Sequence, residues 1–267
     1  MLEKFRTIKL AEIGRLEDLA RHGDFPEAWR GKRPSFAASL APAGDLPAVI
    51  AEYKRASPSR GIICETVDCS QAAREYLQNG AAALSILTES ECFRGKLEYL
   101  AEIRKACGSQ NPAMLRKDFI FHPLQIAESA ASPASALLLI ARMINDVRQL
   151  RDLREEAASQ GLESVVEIFD ERDLAMARDS GAAIIQVNSR DLATLRVDDG
   201  ACCRLIEKAK PRSHEKWIAA SGITRGSQLR SARDAGFDAV LIGSFLMAKG
   251  SPGASLRQLL EEAAGAL

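Results

Sequence analysis

The sequence has no net charge and few aromatic residues. Its 267 residues include 36 lysines and arginines and 36 aspartates and glutamates, and aromatic residues make up 5% of the chain. A balanced charge removes the attraction on which binding to nucleic acids and anionic membranes usually depends. So few aromatic side chains also disfavour a platform for stacked bases. We therefore expect a small-molecule partner, and neither a nucleic acid nor a membrane.

Metal-binding patterns and long apolar runs are also missing. The six cysteines form no CxxC pair, and the three histidines lie far apart in the chain. Neither a zinc site nor a disulfide framework is expected from such spacing. The first twenty residues carry charges every few positions, and no later run reaches membrane-spanning length. These features predict a cytoplasmic protein without a metal site.

The sequence does contain a repeated unit. From Pro47 onward, a short aliphatic run is followed by a polar link and an amphipathic stretch that ends near a glycine or asparagine. Eight strands are predicted at 48–54, 82–88, 113–118, 136–142, 164–169, 183–188, 217–221 and 239–244. Eight helices are predicted near 70–79, 96–107, 123–131, 145–160, 171–180, 199–209, 226–235 and 253–265.

The number and composition of these units indicate the fold. Runs such as ALLLI and AVLIG are continuously apolar, which is typical of parallel strands covered on both faces. Eight strand–helix units in one chain predict an α/β protein with a (β/α)8 TIM barrel. A doubly wound open sheet is the alternative, but the sequence has no GxGxxG motif.

Residues 1–46 lie outside the repeat. They predict extra N-terminal helices near 8–21 and 25–30, followed by an extended segment over 33–47. This extension could cap one end of the barrel or supply a lid. We expect residues 1–267 to form a single domain, with 1–46 as the helical extension and 47–267 as the barrel.

Several charged residues follow strands that should be buried. In a TIM barrel the catalytic groups come from the carboxyl ends of the strands. Glu52 and Lys54 share one face of the first strand, while Lys117 and Glu167 interrupt apolar runs at the third and fifth strand ends. A surface ion pair is the alternative for the first two, and a buried structural ion pair for the second two. With Asn188 after the sixth strand, these residues predict a polar pocket suited to general acid and base steps.

Arg190 adds a fixed cation two residues beyond Asn188. A guanidinium suits a carboxylate or a phosphate group. The alternative is that Arg190 forms a surface ion pair with Asp191 or Asp198.

The last two strands end in turns of small residues. Ser221 and Gly222 follow the seventh strand, and Gly243 and Ser244 follow the run AVLI of the eighth. Glycines let backbone N–H groups approach an anion, and the loops after these two strands are the usual phosphate site of a TIM barrel. Two tight structural turns are the alternative. Both turns together predict a phosphorylated small-molecule substrate.

The motifs in this order resemble one known family. EYKRASPSRG, SILTESECFRGKLEYL, LRKDFIFHPLQIAES, VVEIFDERDL, VNSRDLATLRVD, SGIT and GFDAVLIGSFLM are similar to motifs of indole-3-glycerol-phosphate synthases, and the resemblance covers residues 33–260. It implies a TIM barrel with N-terminal helices. It also implies a cofactor-free carboxy-lyase of tryptophan biosynthesis. The reaction closes the indole ring of 1-(2-carboxyphenylamino)-1-deoxyribulose 5-phosphate, with release of carbon dioxide and water.

The resemblance also implies a role for each motif residue. Lys117 would be the general acid of ring closure, and Lys54 would hold the substrate carboxylate and act as acid in dehydration. Glu167 would be the general base, Glu52 would support Lys54 or take part in dehydration, and Asn188 would orient a hydroxyl. The residues implied on the anthranilate side are Ser57, Phe93 and Arg190. Those implied at the phosphate are Ser221, Gly222, Gly243 and Ser244.

The sequence also departs from the family pattern. The most important departure is Ala220, because the family commonly has a glutamate there. Ser189 replaces an asparagine, and residues 132–135 replace a Gly-Ala-Asp turn. Ala220 leaves two alternatives open, namely a synthase-like paralogue with an altered substrate and a non-catalytic binder of a phosphorylated metabolite. Phosphoribosylanthranilate isomerase, a third alternative, would require a Cys/Asp pair where this chain has Lys54 and Asn188.

Overall fold

Eight parallel strands close into a barrel in the computed structural model of the protein, which describes residues 2–42, 44–190, 196–198 and 200–265. The strands are β1 (Ala48–Tyr53), β2 (Ala83–Leu87), β3 (Met114–Ile120), β4 (Ala136–Ile140), β5 (Glu163–Ile168), β6 (Ile184–Asn188), β7 (Lys216–Ala220) and β8 (Ala239–Ile242). Each strand pairs with the next one in the chain, and β8 pairs with β1 through the register Ala48↔Ala239. The TIM barrel prediction is confirmed, since an open sheet would leave β1 and β8 unpaired.

Helices cover the outside of this barrel. They are α1 (Leu2–His22), α2 (Phe36–Ser39), α3 (Cys69–Gln78), α4 (Tyr99–Cys107), α5 (Pro123–Ala131), α6 (Val147–Ser159), α7 (Glu171–Asp179), α8 (Ala201–Ala209), α9 (Gly226–Asp234), α10 (Ser244–Met247) and α11 (Pro252–Ala263). A short hairpin pairs Ala56–Ser57 with Gly61–Ile62 after β1. No helix in these described parts is both long enough and apolar enough to cross a membrane.

The polar links between strands and helices act as helix starts. Asp68, Asp146 and Asp170 each precede a helix, and each side chain accepts a hydrogen bond from a backbone N–H three residues later. Such caps satisfy N–H groups that have no partner inside the helix. The predicted strands begin and end within two residues of the observed ones. The aliphatic runs mark the strands, and the capped helix starts limit how far each link extends.

The helix predicted near 8–21 is confirmed as α1, which begins earlier, at Leu2. The rest of the N-terminal extension differs from its prediction in two places. The helix predicted at 25–30 is wrong, because this segment contains no helix. Instead, the backbone N–H of Trp29 donates to the carbonyl of Ala130 at 2.7 Å, so the chain lies against the end of α5. A backbone group that bonds to the barrel is not available for a helix of its own.

The second difference is α2, which lies within the segment that was predicted to be extended. The hydroxyl of Ser35 accepts from the N–H of Ala38 at 3.1 Å and caps this short helix. The carboxylate of Glu163, at the start of β5, accepts from the N–H groups of Phe36 and Ala37. The prediction was therefore wrong because a carboxylate from a distant strand stabilises the helix start.

A buried charged cluster joins α1 to the barrel. The ammonium group of Lys9 lies 2.6 Å from Asp118 on β3 and 2.7 Å from Glu12 on its own helix. Arg116, also on β3, lies 3.3 Å from Asp118 and 2.6 Å from Glu128 of α5. Burial opposes ionisation of Asp118, but Lys9 and Arg116 outweigh it and lower its pKa to about 2. The cluster fixes α1 beside the strand that carries Lys117.

Candidate active site

The carboxyl ends of the strands surround a cavity of about 400 Å³. Every site residue predicted from the sequence lines it, namely Glu52, Lys54, Ser57, Phe93, Lys117, Glu167, Asn188, Arg190, Ser221, Gly222, Gly243 and Ser244. These residues come from widely separated parts of the chain. The structure therefore brings together all the side chains that sequence patterns singled out.

Glu52 and Lys54 form an ion pair inside the cavity. Their charged atoms lie 2.6 Å apart, and the side chain of Glu52 is only 4% exposed. The hydroxyl of Ser85, on the neighbouring β2, donates to the second oxygen of Glu52 at 3.4 Å. The alternative of a surface pair is wrong, because closure of the barrel places the end of β1 against strands on both sides.

Gly243 is required by the position of Glu52. A Cβ atom built at Gly243 would lie 2.3 Å from the Oε1 atom of Glu52 and 3.0 Å from its Cδ atom. Such contacts are far inside van der Waals distance. The glycine at the end of β8 therefore leaves space for the carboxylate that holds Lys54.

Lys117 and Glu167 form a second ion pair across the cavity wall. The Nζ atom of Lys117 lies 3.5 Å from Oε2 of Glu167, whose side chain is 2% exposed. The register between β3 and β4 shifts between Arg116 and Ile120, so the strand is irregular in the segment that contains Lys117. Bulges redirect side chains and are frequent beside active sites. The sequence left open a buried ion pair or a polar pocket for these residues. Both are observed, because the two residues are paired and also line the cavity.

Two side-chain amides complete the surroundings of Glu167. Asn188 donates to its Oε1 atom at 3.2 Å, and Gln186 donates to its Oε2 atom. The side-chain oxygen of Asn188 accepts from the hydroxyl of Ser221 at 2.8 Å and from the backbone N–H of Arg190 at 2.9 Å. The sequence analysis missed Gln186. Its polar side chain in the run AAIIQV, on the same face as Asn188, is the signal that could have identified it.

Arg190 lies at the mouth of the cavity near the hairpin that follows β1. Its Nη1 atom is 3.5 Å from the hydroxyl of Ser59, which in turn is 3.4 Å from that of Ser57. Burial and the neighbouring Arg60 lower the pKa of Arg190. Of its two predicted ion-pair partners, Asp198 pairs with Arg204. The other, Asp191, lies outside the described residues.

Three phenylalanines form an apolar wall of the cavity. The rings of Phe5 and Phe119 are stacked, with centroids 3.9 Å apart, and Phe93 lies 6.1 Å from Phe5 and 6.2 Å from Phe119. Only Phe93 was identified from the sequence. Phe5 was missed because it belongs to α1, and Phe119 could have been found from its place beside Lys117 in LRKDF. The extension thus contributes a side chain to the cavity.

A buried carboxylate supports the loop that carries Phe93. Glu89 is 1% exposed and accepts hydrogen bonds from the backbone N–H groups of Glu91, Cys92 and Phe93, at 3.0, 2.8 and 2.9 Å. Three such bonds to a single carboxylate fix the backbone of this loop. The position of the Phe93 ring therefore depends on Glu89.

The turn after β7 has an unusual backbone conformation that its neighbours hold in place. Ser221 and Gly222 both have positive φ angles, +74° and +86°. The Gln228 side chain donates to the carbonyl of Gly222 at 3.1 Å and accepts from the N–H groups of Thr224 and Arg225. Successive residues in turn conformations can direct N–H groups toward a common point.

Ala220 stands at the end of β7, inside the cavity. It is the register partner of Asn188 and is 3% exposed. Its methyl group occupies the place where a glutamate was expected from the family pattern. The acidic side chains that line the cavity in the described residues are Glu52, Asp118 and Glu167.

Comparisons with known proteins agree with this arrangement. A family model described as indole-3-glycerol phosphate synthase matches residues 2–259. The indole-3-glycerol phosphate synthase of Desulfotalea psychrophila is 38% identical over 264 residues, covering 97% of this chain and 98% of the relative. That of Koribacter versatilis is 43% identical over 213 residues, covering 80% of each chain.

Solved structures of lower identity share the barrel. A 3-hexulose-6-phosphate synthase superposes with a TM-score of 0.60 at 13% identity, covering 79% of this chain and 97% of the other. A chain of the tryptophan synthase complex from Pyrococcus furiosus gives 0.59 at 16% identity, covering 82% and 98%. At these identities the likeness concerns the fold alone. The family match and the close relatives establish more, namely that the chain belongs to the indole-3-glycerol phosphate synthase family and is a carboxy-lyase of tryptophan biosynthesis.

Proposed function

We propose that this cavity closes the indole ring of 1-(2-carboxyphenylamino)-1-deoxyribulose 5-phosphate. A bond forms between the ring carbon that bears the carboxylate and the carbonyl carbon of the sugar chain. The carbon–carboxylate bond then breaks to release carbon dioxide, and the former carbonyl oxygen leaves as water. The observation that carries this proposal is the presence of two lysine–glutamate pairs in one cavity with an aromatic wall.

Lys117 is the general acid for ring closure. As the ring carbon attacks the carbonyl group, negative charge develops on the carbonyl oxygen. A protonated lysine in a water-poor site stabilises this charge, and each tenfold gain in rate corresponds to about 1.4 kcal/mol of barrier. The buried carboxylate of Glu167 lies 3.5 Å from the Nζ atom of this lysine and holds it at the cavity wall.

Lys54 binds the carboxylate that is lost. Its partner Glu52 reduces the net positive charge around the substrate carboxylate, so the carboxylate is held without strong stabilisation. The phenylalanine wall provides apolar surroundings for the anthranilate ring, and loss of carbon dioxide restores the aromaticity of that ring. Ser57, Phe93 and Arg190 shape this side of the cavity.

Dehydration uses the same two pairs in a different role. Glu167 accepts the proton that leaves the ring system, while Lys54, supported by Glu52, donates a proton to the departing hydroxyl group. Asn188, which is hydrogen-bonded to Glu167 and to Ser221, orients a substrate hydroxyl. These steps balance as proton transfers and use only side chains of this chain.

The substrate phosphate binds at the two small-residue turns. The positive φ angles of Ser221 and Gly222 and the start of α10 at Ser244 support this placement. We also propose that residues 1–46 and the barrel form one domain, since Phe5 of the extension lines the cavity. A cytoplasmic location is proposed because the family is biosynthetic. No observation on the described residues favours the altered-substrate or non-catalytic alternatives.

The test of this proposal is the appearance of indole fluorescence when the purified protein meets the proposed substrate. The Lys117→Met variant should lower kcat at least about 100-fold with KM changed only a few-fold, because general acid catalysis contributes on that order. Lys208→Met, which removes an exposed ion pair on α8, is the control and should turn over normally. Near-normal turnover by Lys117→Met would refute the assignment of the acid.

A further inference from the structure

Gln186 is a buried amide in the barrel wall that the steps above do not use. It lies on β6 with an exposure of 0% and is the register partner of Glu167 on β5. Because side chains alternate along a strand, Gln186 faces the same side of β6 as Asn188, which is the barrel interior. The Gln186 side chain therefore sits directly beneath the cavity.

The two amides hold Glu167 from both sides. Gln186 donates to Oε2, which is also the oxygen that faces Lys117, and Asn188 donates to Oε1. With one fixed donor on each oxygen, the plane of the carboxylate is determined by β6. The carboxylate is thereby held next to Lys117, in position to accept a proton during the reaction.

The carbonyl oxygen of the Gln186 amide, unlike its NH₂ group, has no hydrogen-bond partner in the part of the chain that the structure describes. Its Oε1 atom is buried and accepts no hydrogen bond from the described residues. An unpaired buried acceptor lowers stability, and an apolar side chain of similar shape would avoid that loss. Packing alone therefore does not account for an amide at this position.

The two ends of the amide match the two protonation states of Glu167. An ionised carboxylate accepts from the NH₂ group, whereas a carboxylic acid must donate its proton to an oxygen. A half-turn of the amide would present Oε1 to the protonated acid. Because Oε1 accepts no hydrogen bond from the described part of the chain in the present orientation, turning it toward Glu167 breaks none that this oxygen makes there.

We infer that Gln186 is a positioning residue that holds Glu167 in place for proton transfer and follows its change of protonation state by a half-turn of the amide. The inference rests on the proposed function, because it assigns Glu167 the role of a proton acceptor. It concerns a residue that need not touch the substrate.

The test is the Gln186→Met variant, which keeps length and volume but removes both ends of the amide. We expect kcat to fall about tenfold to 100-fold, as a small displacement of a catalytic group would cause. KM and the Kd of the product indole-3-glycerol phosphate should both stay within about threefold of the wild-type values. Gln186 and Glu167 contribute to proton transfer more than to ligand binding. The thermal midpoint should change little, because loss of the unpaired Oε1 acceptor offsets loss of the hydrogen bond to Glu167.

Val187→Ala is the matched control on the same strand. Val187 is buried on the opposite face of β6, so the substitution should lower the thermal midpoint and leave kcat unchanged. Wild-type turnover by Gln186→Met would overturn the inference, and so would a joint loss of turnover and product binding, which indicates a structural role. Absence of indole-3-glycerol phosphate formation by the wild-type protein would instead overturn the proposed function itself.

Discussion

At the scale of the residue, the geometry of the site depends on contacts between residues that are far apart in the sequence. Glu52 can hold Lys54 only because the end of β8 carries a glycine, and the Phe93 loop takes its shape from Glu89. None of these relations concerns neighbours in the sequence. Single substitutions that leave the fold intact should therefore change the chemistry.

Gly243→Ala should damage catalysis without unfolding the protein. The added methyl group would lie 2.3 Å from Oε1 of Glu52 and would displace the carboxylate from Lys54. We expect kcat/KM to fall at least about tenfold, as for other small misplacements of catalytic groups. Steady-state kinetics with the proposed substrate would measure this.

Gly14→Ala is the control for that substitution. Gly14 lies in α1, and a Cβ atom there meets nothing within 4 Å. Its replacement should stabilise the helix by about 0.5–1 kcal/mol and leave kinetics unchanged. If Gly243→Ala is as active as Gly14→Ala, the displacement of Glu52 has no catalytic effect.

At the scale of the element, α1 and β3 work as a unit. Strand β3 carries three successive charged residues. Lys117 and Asp118 line the cavity, and Asp118 also joins Arg116 in the buried cluster with Lys9. Helix α1 brings Lys9 to that cluster and Phe5 to the cavity wall. Docking of the extension and the geometry of the site are thus coupled.

Lys9→Met should weaken both stability and activity. The substitution leaves Asp118 buried with only Arg116 as a charged partner, and loss of one member of a buried pair costs about 3 kcal/mol. Urea unfolding should show this decrease in the free energy of unfolding. The kcat should also fall, because displacement of α1 removes Phe5 from the cavity.

Lys4→Met provides the matched control, since Lys4 is an exposed residue of the same helix. It should leave the free energy of unfolding within about 0.5 kcal/mol of the wild-type value. Equal stability of the Lys9 and Lys4 variants would mean that the cluster does not hold the extension.

At the scale of the whole molecule, closure of the barrel places ionised carboxylates where they stabilise the fold. Asp118 has a pKa of about 2, since Lys9 and Arg116 outweigh the effect of burial. Glu215 also has a pKa of about 2, because hydrogen bonds from Arg178, Arg212 and Trp217 outweigh its burial. Both carboxylates bind a proton less readily in the folded state than in the unfolded state.

The stability of the protein should therefore fall in acid. A carboxyl group with a lowered folded pKa contributes stability that is fully present above its unfolded pKa and is lost as the pH falls through its folded pKa. For Asp118 the loss amounts to about 2 kcal/mol between about pH 4 and pH 2. Urea unfolding at a series of pH values would measure it.

Asp118→Asn should flatten this dependence, because the variant has no carboxylate to protonate at that position. Asp18→Asn, which alters an exposed pair with Arg21, should keep the wild-type slope. If the Asp118 variant retains the full slope below pH 4, the acid sensitivity arises elsewhere in the molecule.

The sequence by itself determined the barrel and the positions of its main polar groups. Eight apolar runs predicted eight buried parallel strands, and residue alternation identified Glu52, Lys117 and Glu167 at their ends. Both patterns are local, since burial of a strand is recorded in its own residues. Both patterns can therefore be read from the sequence without knowing which strands and helices are in contact.

The tertiary structure alone decided the contacts between distant segments. Glu163 starts α2 although it lies 127 positions from Phe36, Lys9 meets Asp118 rather than solvent, and Gln186 meets Glu167. Local periodicity carries no information about such partners, because they are set by the register in which the barrel closes and by where the extension docks. For that reason the sequence showed which residues face the site, and only the folded chain showed what holds them there.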